Sequence, residues 1–387
     1  MLRRIYNIAL RQCGIIRHNP IYIFCLVIFP VLVIVFFTSL MDEGVPTDMP
    51  VGVVDQDNTS TSRGLIRQLD AFQTTHVVGH YANVNDARRA VQRGEIFAFL
   101  LIPKGTSGAL LSSKQPKISF YYSMVAMLPG SLLFRDLKTI SSLGSAAVGK
   151  AKLSALGKTG NEIRTFLQPI TLDLHMIGNP WTNYNIYLST AMVPGLLMLF
   201  VFLMTPYSIG TELKFGQSKN WIKMAGGNIY TAITGKLLPQ TLIFLTIFLC
   251  YHLYVFGYLN FPHPGGLGPI LLLTFLSVLA PEGFGIFIFG LMPSLRMSMS
   301  VCALWSVVSF SVCGATFPVF AMNPMIEGMA QLFPLRHYYM IYQICVFNGF
   351  PLSDAVFNIL ALCVTAALPI FTVGHIRKAM MEYVYIP

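Results

Sequence analysis

"LSTAMVPGLLMLFVFLMTPYSIGTELKFGQSKNWIKMAGGNIYTAITGKLLPQTLIFLTIFLC", residues 188–250, is two long apolar runs with a short polar stretch between them. The polar stretch, 210–236, carries one acid, Glu212, and four lysines, Lys214, Lys219, Lys223 and Lys236. Each flanking run is long enough to cross hydrocarbon as a helix, for which about 20 apolar residues suffice. A helix also satisfies its backbone amides within the segment, as lipid requires. The pair therefore reads as two membrane helices joined by a charged segment on one side of the bilayer.

The rest of the chain repeats the signal. Of 387 residues, 54% are hydrophobic and only 11% charged, with a mean hydropathy of +0.62; soluble domains carry about 25% charged residues. Six runs qualify as spans: 21–40, 186–206, 237–257, 269–292, 299–321 and 355–374, and the one formal charge inside them is Glu282. The predicted fold is an α-helical integral membrane protein with six transmembrane helices and an α/β extracytoplasmic domain inserted between the first and second. The expected order is a cytoplasmic amphipathic helix (1–19), the first span (20–40), the inserted domain (41–185), spans two to six (186–376) and a cytoplasmic tail (377–387). Within 186–376 lie the cytoplasmic segment 207–236 and an outer re-entrant segment, 317–351.

Basic residues orient this plan. With the N-terminus inside, Arg3, Arg4, Arg11, Arg17, Lys214, Lys219, Lys223, Lys236, Arg296, Arg377 and Lys378 face the cytoplasm, while the short outer loops hold only Arg336. That asymmetry is the positive-inside pattern, and a domain as long as 41–185 translocates largely regardless of its charge. The net charge of +10 follows mostly from this bias and does not imply nucleic acid. All seven cysteines lie outside 41–185, so the inserted domain has no disulfide, and no paired-cysteine metal spacing occurs.

Residues 1–18 place Leu2, Ile5, Ala9, Cys13 and Ile16 at helical spacing, with Arg3, Arg4, Arg11 and Arg17 on the remaining surface. That pattern predicts an interfacial helix with its arginines at anionic headgroups. Asn19-Pro20 then ends it. In the inserted domain, "PVGVVD" (50–55), "THVVGHY", "IFAFLLIP" and "KISFYY" (117–122) read as strands, and "STSRGLIRQLDAF" (60–72) and "NVNDARRAVQRG" as helices. Thr59 or Ser60 is the candidate N-cap of the first of these helices. Leu133, Leu137, Ile140, Gly144, Ala147 and Ala151 mark a long helix over about 131–156.

Catalytic and metal signatures are weak. "GKT" at 157–159 lacks the glycine five positions earlier that a phosphate loop needs, since that position is Lys152. His76 and His80 sit in a strand pattern, and Asp55 with Asp57 reads as a turn rather than a cation site. Glu282, at membrane depth between Pro281 and Gly283, is a functional candidate by default. Pro318, Pro324 and Pro334 cut 317–351 into short pieces, and Arg336 with Tyr338, Tyr339 and Tyr342 is expected at the membrane interface as a gate.

Taken in order, these parts resemble the type-2 ABC exporter permeases, in the drug and multidrug branch with a large extracytoplasmic domain. "VGVVDQDNTSTSRGLIRQLDAF" and "GEIFAFLLIPKG" are similar to that branch's ectodomain strands and helix, "GTELKFGQSKNWI…ITGKLLPQ" to its cytoplasmic loop, and "MNPMIEGMAQLFPLRHY" to its re-entrant stretch. The resemblance implies a coupling element carrying Gly210, Thr211, Glu212, Lys214, Lys219, Trp221 and Lys223. Trp221 and Ile222 are then expected as apolar anchors on the surface it presents. Family loops often hold several acids near Glu212, and here Glu212 stands alone. The resemblance further implies a cytosolic ABC ATPase dimer that binds ATP and Mg, no cofactor on this chain, and a second permease chain, identical or paralogous. It leaves room for a periplasmic adaptor. A bacterial inner-membrane location, with both termini cytoplasmic, goes with it. The rival reading is a proton-coupled secondary transporter working through Glu282, although no internal repeat of the kind such folds show is visible.

Overall fold

The computed structural model describes residues 1–383 except 113, 172, 174, 176, 177 and 181; the end of the expected tail, 384–387, lies outside the described residues. Two units result: Met1–Asp42 with Asn183–Pro387, and Glu43–Thr182.

The first unit is a helical bundle with six helices long and apolar enough to cross a membrane among the described residues: Pro20–Leu40, Tyr184–Lys214, Ile229–Tyr258, Leu267–Leu291, Leu295–Val312 and Leu352–Glu382. The second and fourth form its centre, with 67% and 72% of their most apolar windows buried against 33% or less for the others. Small residues let the fourth span in. A Cβ on Gly283 would stand 2.6 Å from the Ala366 carbonyl oxygen, and one on Gly285 would stand 2.9 Å from the Thr205 side chain.

Three boundaries differ from expectation. The second span continues to Lys214 and the third starts at Ile229, where the Asn228 side chain accepts from the Tyr230 and Thr231 amides. The segment expected over 207–236 thus contracts to a turn holding one short helix, Ser218–Met224. Glu212 and Lys236 remain helical because each finds partners inside the protein. The fifth span stops at Val312 rather than 321, and Gly314 leaves it at a φ of +97°. Beyond it come Val319–Ala321, Pro324–Ala330 and Pro334–Ile341, the last two opened by prolines that suit a first helical turn.

The second unit is built on a sheet in the order β2-β1-β3-β4. β1 (Met49–Asp55) pairs in parallel with β2 (Thr75–His80) and β3 (Ala98–Ile102), and β4 (Ser119–Tyr122) closes one edge antiparallel to β3. Alternation divides the β1 residues between two cores. Val51 and Val53 pack with Ile66, Leu69, Leu133, Leu137 and Ile140, while Val54 packs with Ala87 and Ala90. Thr59 does cap the helix Ser60–Asp70, in a capping box with Ser62. The long helix, Met127–Ala155, lays Leu133, Leu137 and Ile140 on the sheet. The GKT stretch ends in a cap, not a cradle: Thr159 opens the helix Gly160–Leu167 in a capping box with Glu162.

Strand order reverses direction at β1, so the crevice beyond the carboxyl ends of β1 and β3 is where open α/β sheets receive ligands. Here Asp57 occupies it. Its carboxylate accepts from Gly105 N at 2.8 Å, Ser107 N at 3.1 Å, Ser107 Oγ at 2.6 Å and Thr59 Oγ1 at 3.0 Å. Asp55 accepts from the amides of Asp57 and Asn58, forming the turn read from the sequence.

Candidate functional site

The N-terminal helix, Leu2–His18, buries Ile8, Ala9 and Gln12. It crosses the third span at Gly235, where a Cβ would stand 2.9 Å from Ile8 Cβ and 3.0 Å from the Ile5 carbonyl oxygen. Only glycine permits that approach. The single apolar stripe expected from Leu2 to Ile16 is therefore split. Ile5, Ile8 and Ala9 turn toward protein, whereas Leu2, Tyr6, Leu10 and Cys13 remain exposed. Arg3, Arg4 and Arg17 are exposed, and Arg4 lies across Gly226.

Arg11 departs from the predicted headgroup position. Its guanidinium grips Glu212 through two bonds, Nη1–Oε1 at 2.7 Å and Nη2–Oε2 at 2.9 Å, and reaches Gln217 Oε1 at 2.6 Å. Lys236 Nζ donates to the same carboxylate, 2.6 Å from Oε1, and to Gln12 Oε1 at 2.8 Å. The side chains of Glu212 and Lys236 are 2% and 1% exposed. A buried carboxylate is costly unless it is paired and hydrogen-bonded, and here Arg11 and Lys236 supply both charge and hydrogen bonds. The cluster ties together the N-terminal helix, the end of the second span and the start of the third.

Trp221 also corrects an expectation. It is fully buried, with its indole N–H donating to the Ala232 carbonyl at 3.2 Å, and Ile222 is buried beside it. Neither is a surface anchor. Both belong to a core with Ile8, Ile209, Leu213, Phe289, Val373, Ile376 and Met380. The first part of the expected tail is thus a packed helix, Val373–Glu382, that closes this core. Exposed on the turn are Lys214, Phe215, Gln217, Lys219, Asn220, Lys223 and Met224, a basic rim with Lys214 Nζ over the Phe215 ring at 5.7 Å. Gly210 and Thr211 lie in the second span; a Cβ on Gly210 would meet Leu295 at 2.6 Å, and Thr211 bonds back to the Ser208 carbonyl.

The other candidates do not assemble with this cluster. Glu282 is 5% exposed, and Thr241 of the third span lies 2.8 and 2.9 Å from its two oxygens. Among the described residues no ion pair involves Glu282 or Arg336. Tyr338 and Tyr339 are 1% and 4% exposed, so they belong to the bundle core and not to an interfacial belt. Sequence reading singled out Glu212 but missed its partners. The available signal was that Glu212 and Lys236 end two apolar runs, where an unpaired charge is costly.

These observations define a multipass helical membrane protein whose amphipathic N-terminal helix and basic turn are braced against one end of the bundle by buried charge. The chain belongs to the ABC-2 family of transporter proteins, whose family model matches residues 20–373. It is accordingly a transport subunit. No curated protein matches the chain.

Proposed function

We propose that this chain is the permease subunit of an ATP-binding cassette exporter that moves hydrophobic or amphipathic compounds out of the cell. The motor is a separate cytosolic ATPase dimer carrying ATP and Mg, and a second permease chain completes the pathway. The inserted α/β unit faces the outside of a bacterial inner membrane. One observation carries the coupling role: the exposed basic rim on Ser218–Met224 stands on a base of buried Trp221 and the Arg11–Glu212–Lys236 cluster. A push on that rim is passed to three helices at once instead of being lost in a loose loop. Lys214, Lys219, Lys223 and Phe215 meet the ATPase; Glu212 and Trp221 transmit.

Reversing Lys214, Lys219 and Lys223 to glutamate tests the assignment. Exposed ion pairs contribute about 0.2–1 kcal/mol each, so binding of the copurified ATPase is expected to weaken roughly tenfold while the permease stays folded. Undiminished ATPase binding and transport in that triple variant would remove the coupling assignment. A second reading, proton-coupled transport through Glu282, is favoured by a buried carboxyl met by the Thr241 hydroxyl. It predicts transport without any ATPase and none in Glu282→Gln.

A further inference from the structure

Interruptions in the spans fall at one depth of the bundle. Pro206, Pro239 and Pro281 stand inside the helices of the second, third and fourth spans, and contacts between the spans put them side by side. Gln240 Nε2 donates to Thr205 Oγ1 at 3.3 Å, joining the neighbours of Pro239 and Pro206. The Thr241 hydroxyl bonds Glu282, beside Pro281. A Cβ on Gly285 would stand 3.3 Å from Pro206 Cδ. The last span breaks at the same depth: Leu368–Phe371, which holds Pro369, is a 3-10 turn between Val356–Ala367 and Val373–Glu382. Gly283 faces the Thr365 and Ala366 carbonyls on one side of that break, and Gly290 faces Thr372 on the other. In the first span, Phe24–Ile28 is a π-helical stretch. It lies between two ring contacts with the second span, Tyr22 on Tyr207 and Phe29 on Phe200, and so opposite the turn that holds Pro206.

Each interruption weakens a helix along its axis. A proline has no N–H, so Pro206, Pro239 and Pro281 deprive the carbonyls of Phe202, Gly235 and Ser277 of their usual donor one turn on. Kinks concentrate at prolines and at π-bulges, and 3-10 or π stretches inside a helix often mark hinges. Packing divides at this depth too. Met204, Phe244, Ala280 and Leu362 belong to the large core of the bundle, whereas Ile209, Leu237, Phe289 and Val373 belong to the core that holds Ile8 and Trp221. Gln240 Oε1 and Thr372 Oγ1, both buried in the layer, meet no protein partner, so this arrangement leaves polar groups that another could use. The fifth span differs. Leu295–Val312 is one unbroken helix without proline, and it touches the second span at both ends, Leu295 against Gly210 and Phe310 against Gly195.

We propose that this layer is a hinge. The N-terminal helix, Ser218–Met224, Val373–Glu382 and the core between them swing as one body against the rest of the bundle, and the unbroken fifth span is the strut beside which they turn. In an exporter the swing carries a push on the basic rim into the spans, and only that last step rests on the function proposed above. Proline is frequent in membrane helices, so the competing account is a set of unrelated structural prolines. Pro194, about 18 Å from Pro206 along the same helix, lies outside the layer and serves as the control.

The test uses the full chain in lipid nanodiscs, without ATPase or nucleotide, so that its outcome is independent of the motor. Exposed Cys13, Cys250 and Cys363 are replaced, and pairs of spin labels on exposed positions report distance distributions. Lys378 with Phe350 crosses the layer, Lys378 with Leu10 stays on one side of it, and Phe350 with Leu40 stays on the other. A change of about 20° in a kink, acting over the roughly 14 Å from Pro369 to Lys378, moves that label by about 5 Å. The crossing pair is expected to spread over that range and the other two pairs are not. The triple change Pro206→Ala, Pro239→Ala and Pro281→Ala restores donors to the three carbonyls and is expected to narrow the crossing distribution, whereas Pro194→Ala is expected to leave it as it was. Equal widths for the three pairs, no narrowing in the triple variant, or equal narrowing by Pro194→Ala overturns the proposal. Should the triple variant fail to fold, the comparison of the three pairs in the otherwise unaltered chain decides alone. Adding the copurified ATPase with a nonhydrolysable ATP analogue then separates hinge from motor. A shift of the crossing pair alone toward one end of its range joins the two. A crossing pair that is broad by itself and ignores the motor leaves the hinge standing and removes the coupling assignment.

Discussion

Glu212 shows how one residue type serves different ends in different surroundings. An acid at the end of a membrane helix is a surface group unless it meets cations, and here it meets two, from Arg11 and Lys236. Removing one member of such a cluster leaves the others buried and uncompensated, which costs roughly 3–5 kcal/mol. Glu212→Gln is therefore expected to lower the thermal midpoint sharply. The double change Glu212→Gln with Lys236→Met is expected to cost less than the sum of the single changes, because the orphaned charge leaves with its partner. Additive losses would show that the cluster is not one unit. The aspartates of the α/β unit offer an opposite pair. Ser107, then Thr59 and Gly105, hold the Asp57 carboxyl below its ordinary value of 3.8. Burial pushes the Asp136 carboxyl above 3.8, partly offset by Arg135. Asp57 thus stabilises the fold above the unfolded value, and that stability fades as pH falls through its lowered pKa. The contribution of Asp136 has the reverse sign, full below 3.8 and lost as pH rises through its raised pKa. Asp136→Asn, which keeps an acceptor for Thr74, is expected to slow hydrogen exchange over residues 43–182 of the full chain at pH about 7. Asp57→Asn is expected to speed it at that pH, and identical effects of the two would refute the assignment.

At the scale of elements, the N-terminal helix is positioned by a missing side chain. Gly235→Val puts two methyl groups where Ile8 and the Ile5 carbonyl already lie, and overpacking of this kind typically costs about 1–3 kcal/mol. The helix should undock, seen as faster hydrogen exchange over 2–18, whereas Leu10→Ser, on the exposed side, should leave exchange unchanged. Elements with strong local signals were legible in the sequence. Runs of apolar residues announced the spans, Thr59 or Ser60 announced a helix start, and Val51, Val53 and Val54 announced a buried strand. What escaped depends on distant chain. Trp221 reads as a surface anchor until Val373, Ile376 and Met380 are known to cover it. The apolar stripe of the first helix reads as lipid-facing until Gly235 admits it against protein. No periodicity within a window reports a partner some 150 or 220 residues away.

For the whole molecule, the prediction is topological. A cysteine placed at Asn58 should react with a membrane-impermeant maleimide in intact cells, and one at Lys219 only after permeabilisation; the reverse pattern would invert the proposed orientation. Exposed Cys13, Cys250 and Cys363 are replaced first to clear the background. The buried charge cluster also dictates an order of events during synthesis. Its acid lies at 212 and its cations at 11 and 236, so the ribosome releases Arg11 long before either partner exists. Until the third span is made, the leading helix lacks the Gly235 and Lys236 contacts that hold it. A nascent chain arrested before residue 236 is expected to hold its first helix only by the membrane surface, and the core beneath that helix is complete only once Val373, Ile376 and Met380 have been made.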